Sequence, residues 1–156
     1  MYESNLTGLQ LDGVYGEISV YDNAVSQSIP NSPTVYTKLN VWTENGLNKG
    51  MTPDFSLGKI VAGSTGKYKL EASLSFKSGT GNLVADCAIF VDGIEQNGKH
   101  FQRKISTSGD VGSASITGFA NVLVGQEIDV RLKHYNGTPV DITVVYGNLN
   151  AMLGGV

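Results

Sequence analysis

Residues 66–77 read GKYKLEASLSFK, and this stretch decides the fold class. From Lys67 onward polar and apolar side chains alternate, with five apolar residues on one parity. A period of two places successive side chains on opposite faces of a β-strand, whereas a helix would scatter them around its circumference. The stretch therefore predicts a strand with one face in a core and one face in water. Its apolar set is Tyr68, Leu70, Ala72, Leu74 and Phe76.

Shorter apolar runs recur along the chain, with turn-forming pairs between them. Asp92-Gly93 is a pair that closes tight hairpins, and Asn97-Gly98 predicts a further turn soon after it. Twenty of the 156 residues are glycine, against about 7% in typical proteins, as expected where short strands are joined by many turns. We predict an all-β sandwich of about nine short strands without a helix.

The domain organisation follows from where the strand pattern begins. Residues 1–16 contain Leu6, Leu9 and Leu11 among glycine and polar residues without a clear period, and they predict an N-terminal arm. Residues 17–156 contain no linker, internal repeat or low-complexity stretch. We expect them to form a single domain, long enough to bury roughly 70% of the surface of the extended chain.

The net charge and the hydropathy of the chain argue against nucleic acid and a membrane as partners. The net charge of −3 is unsuited to nucleic acid, which requires a basic face. The one basic cluster, at residues 99–104, indicates a solvated strand face, with a site for an anionic partner as the alternative. No run approaches the ~20 apolar residues of a membrane helix, and residues 1–4 lack the basic start of a secretory signal. We expect a soluble chain made in the cytoplasm.

The sequence shows no catalytic or metal motif. His100 and His134 are its two histidines, and neither has further ligands at metal-binding spacing. No Gly-x-Ser-x-Gly turn presents a serine to a catalytic triad, and residues 79–81 lack the lysine of a phosphate loop. Cys87 is the one cysteine, so no disulfide forms within the chain, and its apolar neighbours predict a buried thiol. We predict a protein that is not an enzyme and has no metal or cofactor.

Two carboxylates near the C-terminal end of the domain raise a separate question. Glu127 and Asp129 share the polar parity of a predicted strand. This pattern favours a solubilising face, with a site for a sugar or a calcium ion as the alternative.

Two strands are apolar on both parities, unlike the stretch at 66–77. Residues 142–146 read ITVVY, and residues 115–124 carry Ile116 on one parity and Phe119 on the other. A sandwich strand has one face toward the core, so an apolar second face needs another cover. A long loop of the same chain is one candidate for this cover, and an oligomer interface is the other. Two separate strands with the same pattern favour the interface.

The order of these elements resembles the jelly roll shared by tumour necrosis factor and the globular head of the first complement component. The resemblance runs from Glu17 to the C-terminus, and its fold is a two-sheet jelly-roll sandwich. It rests on the agreement of successive elements rather than on one specific motif. These elements are a strand ending in a polar-Gly turn (35–46), an aromatic-led short strand (55–60), a Gly-x-Tyr opening (66–68), an apolar strand with a Gly turn (84–93), a small-residue strand with its turn (112–128) and a closing strand (143–149).

This resemblance implies a homotrimer in which the closing strand and the strand around Phe119 line the threefold axis. The implied interface residues are Phe119, Val145, Tyr146 and Leu149. The sequence shows no collagen-like stalk, no signal peptide and no disulfide, which departs from secreted animal members. In this respect it resembles the trimeric knobs and capsid-decorating proteins of tailed bacteriophages.

We therefore expect a structural virion protein that decorates or cements a capsid surface after assembly in the host cytoplasm. Its partners would be two further copies and the major capsid protein or another virion protein. The N-terminal arm would dock on the shell through Leu6, Leu9, Leu11 and Tyr15. The alternative is a fibre knob that recognises host surface glycans through the aromatic residues Tyr21, Trp42 or Tyr135.

Overall fold

The computed structural model describes residues 13–155, so Leu6, Leu9 and Leu11 of the predicted arm lie outside the described residues. The described part is built from antiparallel strands and one 3₁₀ turn, Phe55–Leu57. More strands are present than the nine or so predicted, because several are only two to four residues long. The strands are β1 Tyr15–Val20, β2 Gln27–Ile29, β3 Thr37–Lys38, β4 Glu44–Asn45, β5 Met51–Asp54, β6 Lys59–Ala62, β7 Gly66–Ser78, β8 Leu83–Val91, β9 Ile94–Ile105, β10 Val111–Val122, β11 Glu127–His134 and β12 Val140–Gly155.

The strands form two sheets that pack face to face, which confirms the predicted all-β sandwich. Sheet A has the order β10-β7-β12-β1-β4, with β2 also paired to β12. Sheet B has the order β5-β6-β11-β8-β9, with β3 also paired to β11. Strands that are neighbours in space are often distant in sequence, as β1 and β12 are. The chain therefore crosses repeatedly between the sheets.

Residues 66–77 lie in β7, and their alternation is that of a strand with one buried face. Its five apolar side chains are all buried between the sheets, while Lys67 and Lys77 lie outside the core. Tyr68 is fully buried, and its hydroxyl donates to the Ser64 carbonyl at 2.7 Å. This bond removes the cost of burying an unpaired hydroxyl. Sheet B covers this face with Leu83, Cys87, Ile89, Val130 and Leu132.

A β-bulge in β12 explains why residues 142–146 are apolar on both parities. Val144 pairs with Phe76 of β7, Tyr146 pairs with Ser75, and Val145 between them has no opposite residue. The extra residue reverses the parity of the strand, so Val144 before it and Leu149 after it both point into the core. The doubly apolar pattern of β12 therefore reflects a change of parity, and no second cover is needed for Val144 or Leu149.

Turn prediction from Asx-Gly pairs succeeded at one site and failed at the next. Asp92 and Gly93 have φ of 51° and 77° and close the β8–β9 hairpin, as a primed two-residue turn requires. Asn97-Gly98 does not form a turn between strands. The pair lies within β9, where pairing with β8 is interrupted between Ala88 and Phe90, and Gly98 supplies a φ of 76°.

Candidate functional site

Sheet A presents a broad face away from the core, formed by the outward side chains of β10, β7, β12 and β1. We call it the outer face. Its centre is polar, and the side chains there bond across neighbouring strands. The hydroxyls of Ser75 and Ser113 lie 2.8 Å apart, and Ser73 donates to Asn148 Oδ1 at 3.3 Å. Because these side chains are small, they form an open groove lined by Ser73, Ser75, Ser113, Ser115, Gly147 and Asn148.

Large apolar side chains stand exposed beside this groove. Phe119 on β10 is 67% exposed, and Tyr146 and Met152 on β12 are 46% and 47% exposed. Phe119 and Met152 lie opposite Lys69 of β7 from its two sides, so they share one row across the sheet. Tyr146 lies further along the sheet, opposite Ser75, so the three exposed side chains are spread around the groove. The outer face therefore combines a polar floor with an apolar rim.

Tyr146 is held in place by residues that follow β1. The rings of Tyr21 and Tyr146 meet edge to face with centroids 5.7 Å apart, a preferred arrangement for aromatic pairs. The Tyr146 hydroxyl donates to Asp22 Oδ1 at 3.4 Å. The negative charge of Asp22 is the main cause that raises the pKa of Tyr146 above its ordinary value. The rim at this end of the groove is thus a fixed aromatic pair.

The four residues that the resemblance placed at a trimer interface occupy three different environments. Phe119 and Tyr146 are exposed on the outer face, in the same sheet. Val145 is half-buried at the bulge, where its carbonyl accepts the Asn23 N–H at 3.1 Å. Leu149 is fully buried in the core of its own chain. The prediction that Leu149 contacts a neighbouring copy is therefore corrected, because β12 changes parity before it.

Tyr15 was predicted as the last anchor of the arm, and this placement is also corrected. The first strand begins at Tyr15 rather than at Glu17, and Tyr15 pairs with Met152 of β12. The Tyr15 N–H and carbonyl both bond to Lys49 at 2.8 Å. Tyr15 thus belongs to sheet A, where its partly exposed side chain lies beside the apolar rim.

The three aromatic residues predicted for glycan recognition differ in accessibility. Trp42 is only 6% exposed, and its Nε1 donates to the Leu39 carbonyl at 3.0 Å. Its role is in the core, so the prediction that Trp42 meets a ligand is corrected. Tyr21 and Tyr135 are both exposed, Tyr21 on the sheet A side and Tyr135 on the sheet B side.

A polar cluster on the outer side of sheet B was not predicted as a site. Asp86 is 6% exposed and accepts bonds from the hydroxyls of Tyr36 at 3.0 Å and Tyr135 at 3.2 Å. Gln102 donates to the same carboxylate at 3.3 Å. His100 Nδ1 lies 3.1 Å from the Tyr36 hydroxyl. In the sequence, the feature that pointed to this cluster was Asp86, the single charged residue within the apolar run 83–91. The cluster ties the segments around Tyr36 and Tyr135 to β8.

The environment of Tyr36 shows the electrostatic effect of this cluster. Burial and, after it, the hydrogen bond to Asp86 raise the pKa of the Tyr36 phenol far above its ordinary value. The Tyr36 ring also packs edge-on against Phe90, and Lys133 Nζ lies 4.4 Å from its centroid. The Asp86 carboxylate thus joins Tyr36, Gln102 and Tyr135, which come from three different segments of the chain.

The carboxylates at the start of β11 are engaged within the protomer. Asp129 is 1% exposed rather than solvent-facing as its parity suggested, and Arg131 donates to both its oxygens at 2.7 and 3.1 Å. This bond with Asp129 is the main cause that raises the pKa of Arg131. Glu127 forms an ion pair with Lys59. Asp129 is therefore closed off from solvent, whereas Glu127 stays partly exposed beside Lys59.

The remaining candidates for chemistry are buried in structural roles. His134 is fully buried, with Nδ1 accepting the Asn136 N–H at 3.2 Å and Nε2 lying 3.1 Å from the Ile29 carbonyl. Burial raises the pKa of the Cys87 thiol well above its usual range, which makes it unreactive. Within residues 13–155 no group of three or more His, Cys, Asp or Glu side chains is arranged to hold a metal ion. No helix in that part of the chain has the length and hydropathy to cross a bilayer.

Comparison with known proteins shows the fold. No family model matches this sequence, and no curated protein matches it. The globular domain of zebrafish complement 1qA is similar with a TM-score of 0.63 at 12% identity, covering 90% of this chain and 97% of that domain. Eiger TNF from S. frugiperda is similar with a TM-score of 0.61 at 10% identity, covering 92% and 94%. The chain therefore has the TNF-like jelly-roll fold that the sequence resemblance predicted.

Proposed function

We propose that this chain is a non-enzymatic structural protein of a virion that assembles as a homotrimer and decorates or cements the capsid surface. The observation that carries the assembly is the outer face of sheet A. Phe119, Tyr146 and Met152 stand exposed there around a polar groove. Burying such side chains against a second copy removes apolar surface from water, at about 25 cal/mol per Å².

The virion role rests on the resemblance to trimeric decoration and knob proteins of tailed bacteriophages described from the sequence. Its mechanism is geometric. A trimer placed over a threefold or pseudo-threefold point of a shell touches several capsid subunits at once. Linked contacts of this kind bind more tightly than each contact alone, because the second and third bind at high effective concentration. The residues before β1 supply the proposed docking arm, with Leu6, Leu9 and Leu11 as its anchors.

The histidines and the buried carboxylates have partners within the chain, which is consistent with the proposal that the chain is not an enzyme. His134 is enclosed in the core, and His100 is bound within the cluster around Asp86. Asp129 is neutralised by Arg131 and Asp86 is surrounded by hydroxyl and amide donors. Each of these groups has a described structural partner, so each has a role that does not require a substrate.

The second candidate function is a fibre knob that binds host surface glycans. The observation in its favour is the ring of Tyr135, which is 48% exposed next to Asp86 and Gln102. Aromatic faces with neighbouring amide and carboxylate groups suit the apolar and hydroxyl sides of a sugar ring. Of the three aromatic residues predicted for glycan recognition, Tyr21 is the other exposed one, although its ring already packs on Tyr146.

The assembly is tested by light scattering coupled to gel filtration at micromolar concentration. The expected mass is three times that of the 16.5 kDa chain. The double variant Phe119→Ser with Tyr146→Ser should shift the protein toward the monomer. Ile94→Ser is the matched control, since Ile94 is as exposed as Phe119 but lies in sheet B. A wild-type monomer would contradict the assembly.

The capsid role is tested by deletion of residues 1–12, which leaves β1 intact. We expect the truncated protein to keep its oligomeric mass and to lose binding to purified particles that lack it. Retained particle binding would refute the proposed arm. Binding to host cells that is abolished by Tyr135→Ala, without any binding to particles, would replace decoration by the knob.

A further inference from the structure

Several cations that form no ion pair within the described chain lie around one edge of sheet A, while Lys104 and Lys133, which also form none, lie in sheet B. Lys38, Lys59, Lys69 and Arg131 each form an ion pair with an acidic residue. Within the described chain, no ion pair is found for the four cations beside β10. These four define the basic edge: Lys67 and Lys77 on β7, and Lys99 and Arg103 on β9.

Two glycines of β10 bring the β9 cations to this edge. A Cβ placed at Gly118 would lie 3.1 Å from Lys99 Cγ, and one at Gly112 would lie 2.8 Å from Arg103 Nε. The side chains of Lys99 and Arg103 therefore lie against the core-facing side of β10, the outermost strand of sheet A. Any side chain at Gly112 or Gly118 would displace them. The absence of a side chain at Gly112 and Gly118 therefore leaves room for Arg103 and Lys99 beside β10.

The opposite edge of sheet A carries acidic groups, and we call it the acidic edge. Glu17 on β1, Asp22 just after β1 and Glu44 on β4 form it. Glu44 Oε1 accepts a bond from the Ser19 hydroxyl at 3.1 Å, and Asp22 accepts one from Tyr146. These bonds hold the two carboxylates on the outer face. No cation of the described chain forms an ion pair with any of these three acids.

The two edges are too far apart to neutralise each other within one protomer. β10 and β4 are the outermost strands of the five-stranded order in sheet A. With strand spacings of about 4.8 Å, β10, which Lys99 and Arg103 flank, lies about 19 Å from β4 with Glu44, and β7 with Lys67 and Lys77 lies about 10 Å from β1 with Glu17. The screening length at physiological ionic strength is about 8 Å. Attraction across one outer face is therefore largely screened, whereas contact between edges of two copies is not.

We infer that the basic edge of one copy binds the acidic edge of the next, so that the copies join head to tail around a ring. The inference rests on the proposed assembly and adds its polarity and its charged contacts. The two edges are different surfaces, so the contact is heterologous, and a closed ring satisfies both edges of every copy. Of the apolar rim on the outer face, Tyr146 and Met152 lie on β12 between the two edges, and Phe119 lies on the edge strand β10 itself.

Charge reversal at each edge tests this polarity. The acid-reversed variant carries Glu17→Lys and Glu44→Lys, and the base-reversed variant carries Lys99→Glu and Arg103→Glu. Each should raise the apparent dissociation constant of the assembly on the order of 100-fold, because like charges then face each other. The combination of all four substitutions should restore the wild-type mass. Circular dichroism verifies that each variant is folded.

Lys104→Glu is the matched control for the basic edge. Lys104 lies next to Arg103 on β9 but opposite Val84, on the outer side of sheet B. The same change of charge should therefore leave the mass unchanged. Raising the salt concentration from about 0.1 M to about 1 M should weaken the wild-type assembly, because salt screens the attraction between its edges. The same change should strengthen the assembly of the acid-reversed and base-reversed variants, because salt also screens their repulsion.

Mixing the two singly reversed variants gives the sharpest outcome. The acid-reversed copy is basic at both edges and the base-reversed copy is acidic at both, so each binds only the other. We expect a 1:1 complex with an even number of copies and no mixed trimer. Reversed variants that keep the wild-type mass would overturn the charged head-to-tail contact and leave the proposed trimer intact. A wild-type monomer would instead overturn the proposed assembly itself.

Discussion

Val144 and Tyr146 lie two residues apart on β12 but point to opposite faces of sheet A. Residues two apart on a regular strand share a face. Here Val144 is fully buried opposite Phe76, while Tyr146 is largely exposed opposite Ser75. The bulge at Val145 separates them and delivers Tyr146 to the proposed interface. One inserted residue thus links the core to the surface on which the proposed assembly depends.

Deletion of Val145 should convert β12 into a regular strand without changing its pairing on either side. We expect the free energy of unfolding in urea to fall by about 1 kcal/mol, because the bond from the Asn23 N–H to the Val145 carbonyl is lost. Deletion of Asn148 is the control, since it turns Leu149 and Ala151 out of the core. That variant should fail to fold. Equal effects of the two deletions would contradict the bulge.

Leu149→Ala should lower the free energy of unfolding by about 2–5 kcal/mol, as core truncations do. The reason is that Leu149 is 0% exposed within its own chain. Chemical denaturation monitored by Trp42 fluorescence measures the change. Phe119→Ala is the comparison, because Phe119 lies on the outer face. In dilute solution, where the assembly is dissociated, it should change stability by less than about 0.5 kcal/mol. A large effect at Phe119 under those conditions would show that its ring packs within one protomer.

Stability should fall as the pH rises above about 10, the ordinary pKa of tyrosine. The folded protein keeps Tyr36 protonated because its pKa is raised, while the unfolded chain loses this proton. The unfolded state then binds fewer protons, so the free energy of unfolding decreases with pH. Urea denaturation at several pH values between about 8 and 11 measures the slope. Tyr36→Phe should reduce it, and an unchanged slope would assign the effect to other tyrosines.

Gly63→Ala should destabilise the protein by about 3 kcal/mol or more, a large effect for a single substitution. A Cβ at this position would lie 1.8 Å from the Gly50 carbonyl oxygen, so backbone must move. Thermal denaturation of Gly63→Ala and Gly137→Ala makes the comparison. A Cβ at Gly137 meets no atom within 4 Å, and that change should stay within about 0.5 kcal/mol of the wild type. Comparable losses at both sites would contradict the close approach at Gly63.

Local patterns predicted the elements whose conformation depends on neighbouring residues in the chain. The alternation at 66–77 predicted β7 and its buried face, and Asp92-Gly93 predicted its hairpin. The order of the elements predicted the jelly roll. Asn97-Gly98 looked equivalent to Asp92-Gly93, but it lies in the interruption of β9 pairing. A positive φ suits both a turn and a bulge, and only pairing with β8 distinguishes them.

The candidate site was predicted in part, for a physical reason. Phe119 and Tyr146 stood out as apolar residues on a second parity, and both are exposed on sheet A. Leu149 was misplaced because a bulge leaves no mark in a run of apolar residues. Trp42 was misplaced because its indole finds a partner in the Leu39 carbonyl, only three residues away. Asp86 required the approach of Tyr36 and Tyr135, which are about 50 residues distant in opposite directions.

The amino-acid sequence alone determined that this is an all-β sandwich, because the period of side-chain hydropathy is a property of each strand by itself. Only the tertiary structure decided which faces those strands share and where the charges meet. Lys99 lies against Gly118 of β10 and Glu44 lies on β4, so the strand order, in which β10 and β4 are outermost, places them at opposite edges of sheet A. The strand order is set by pairing between segments that are distant in sequence, so it cannot be inferred from any short stretch of residues.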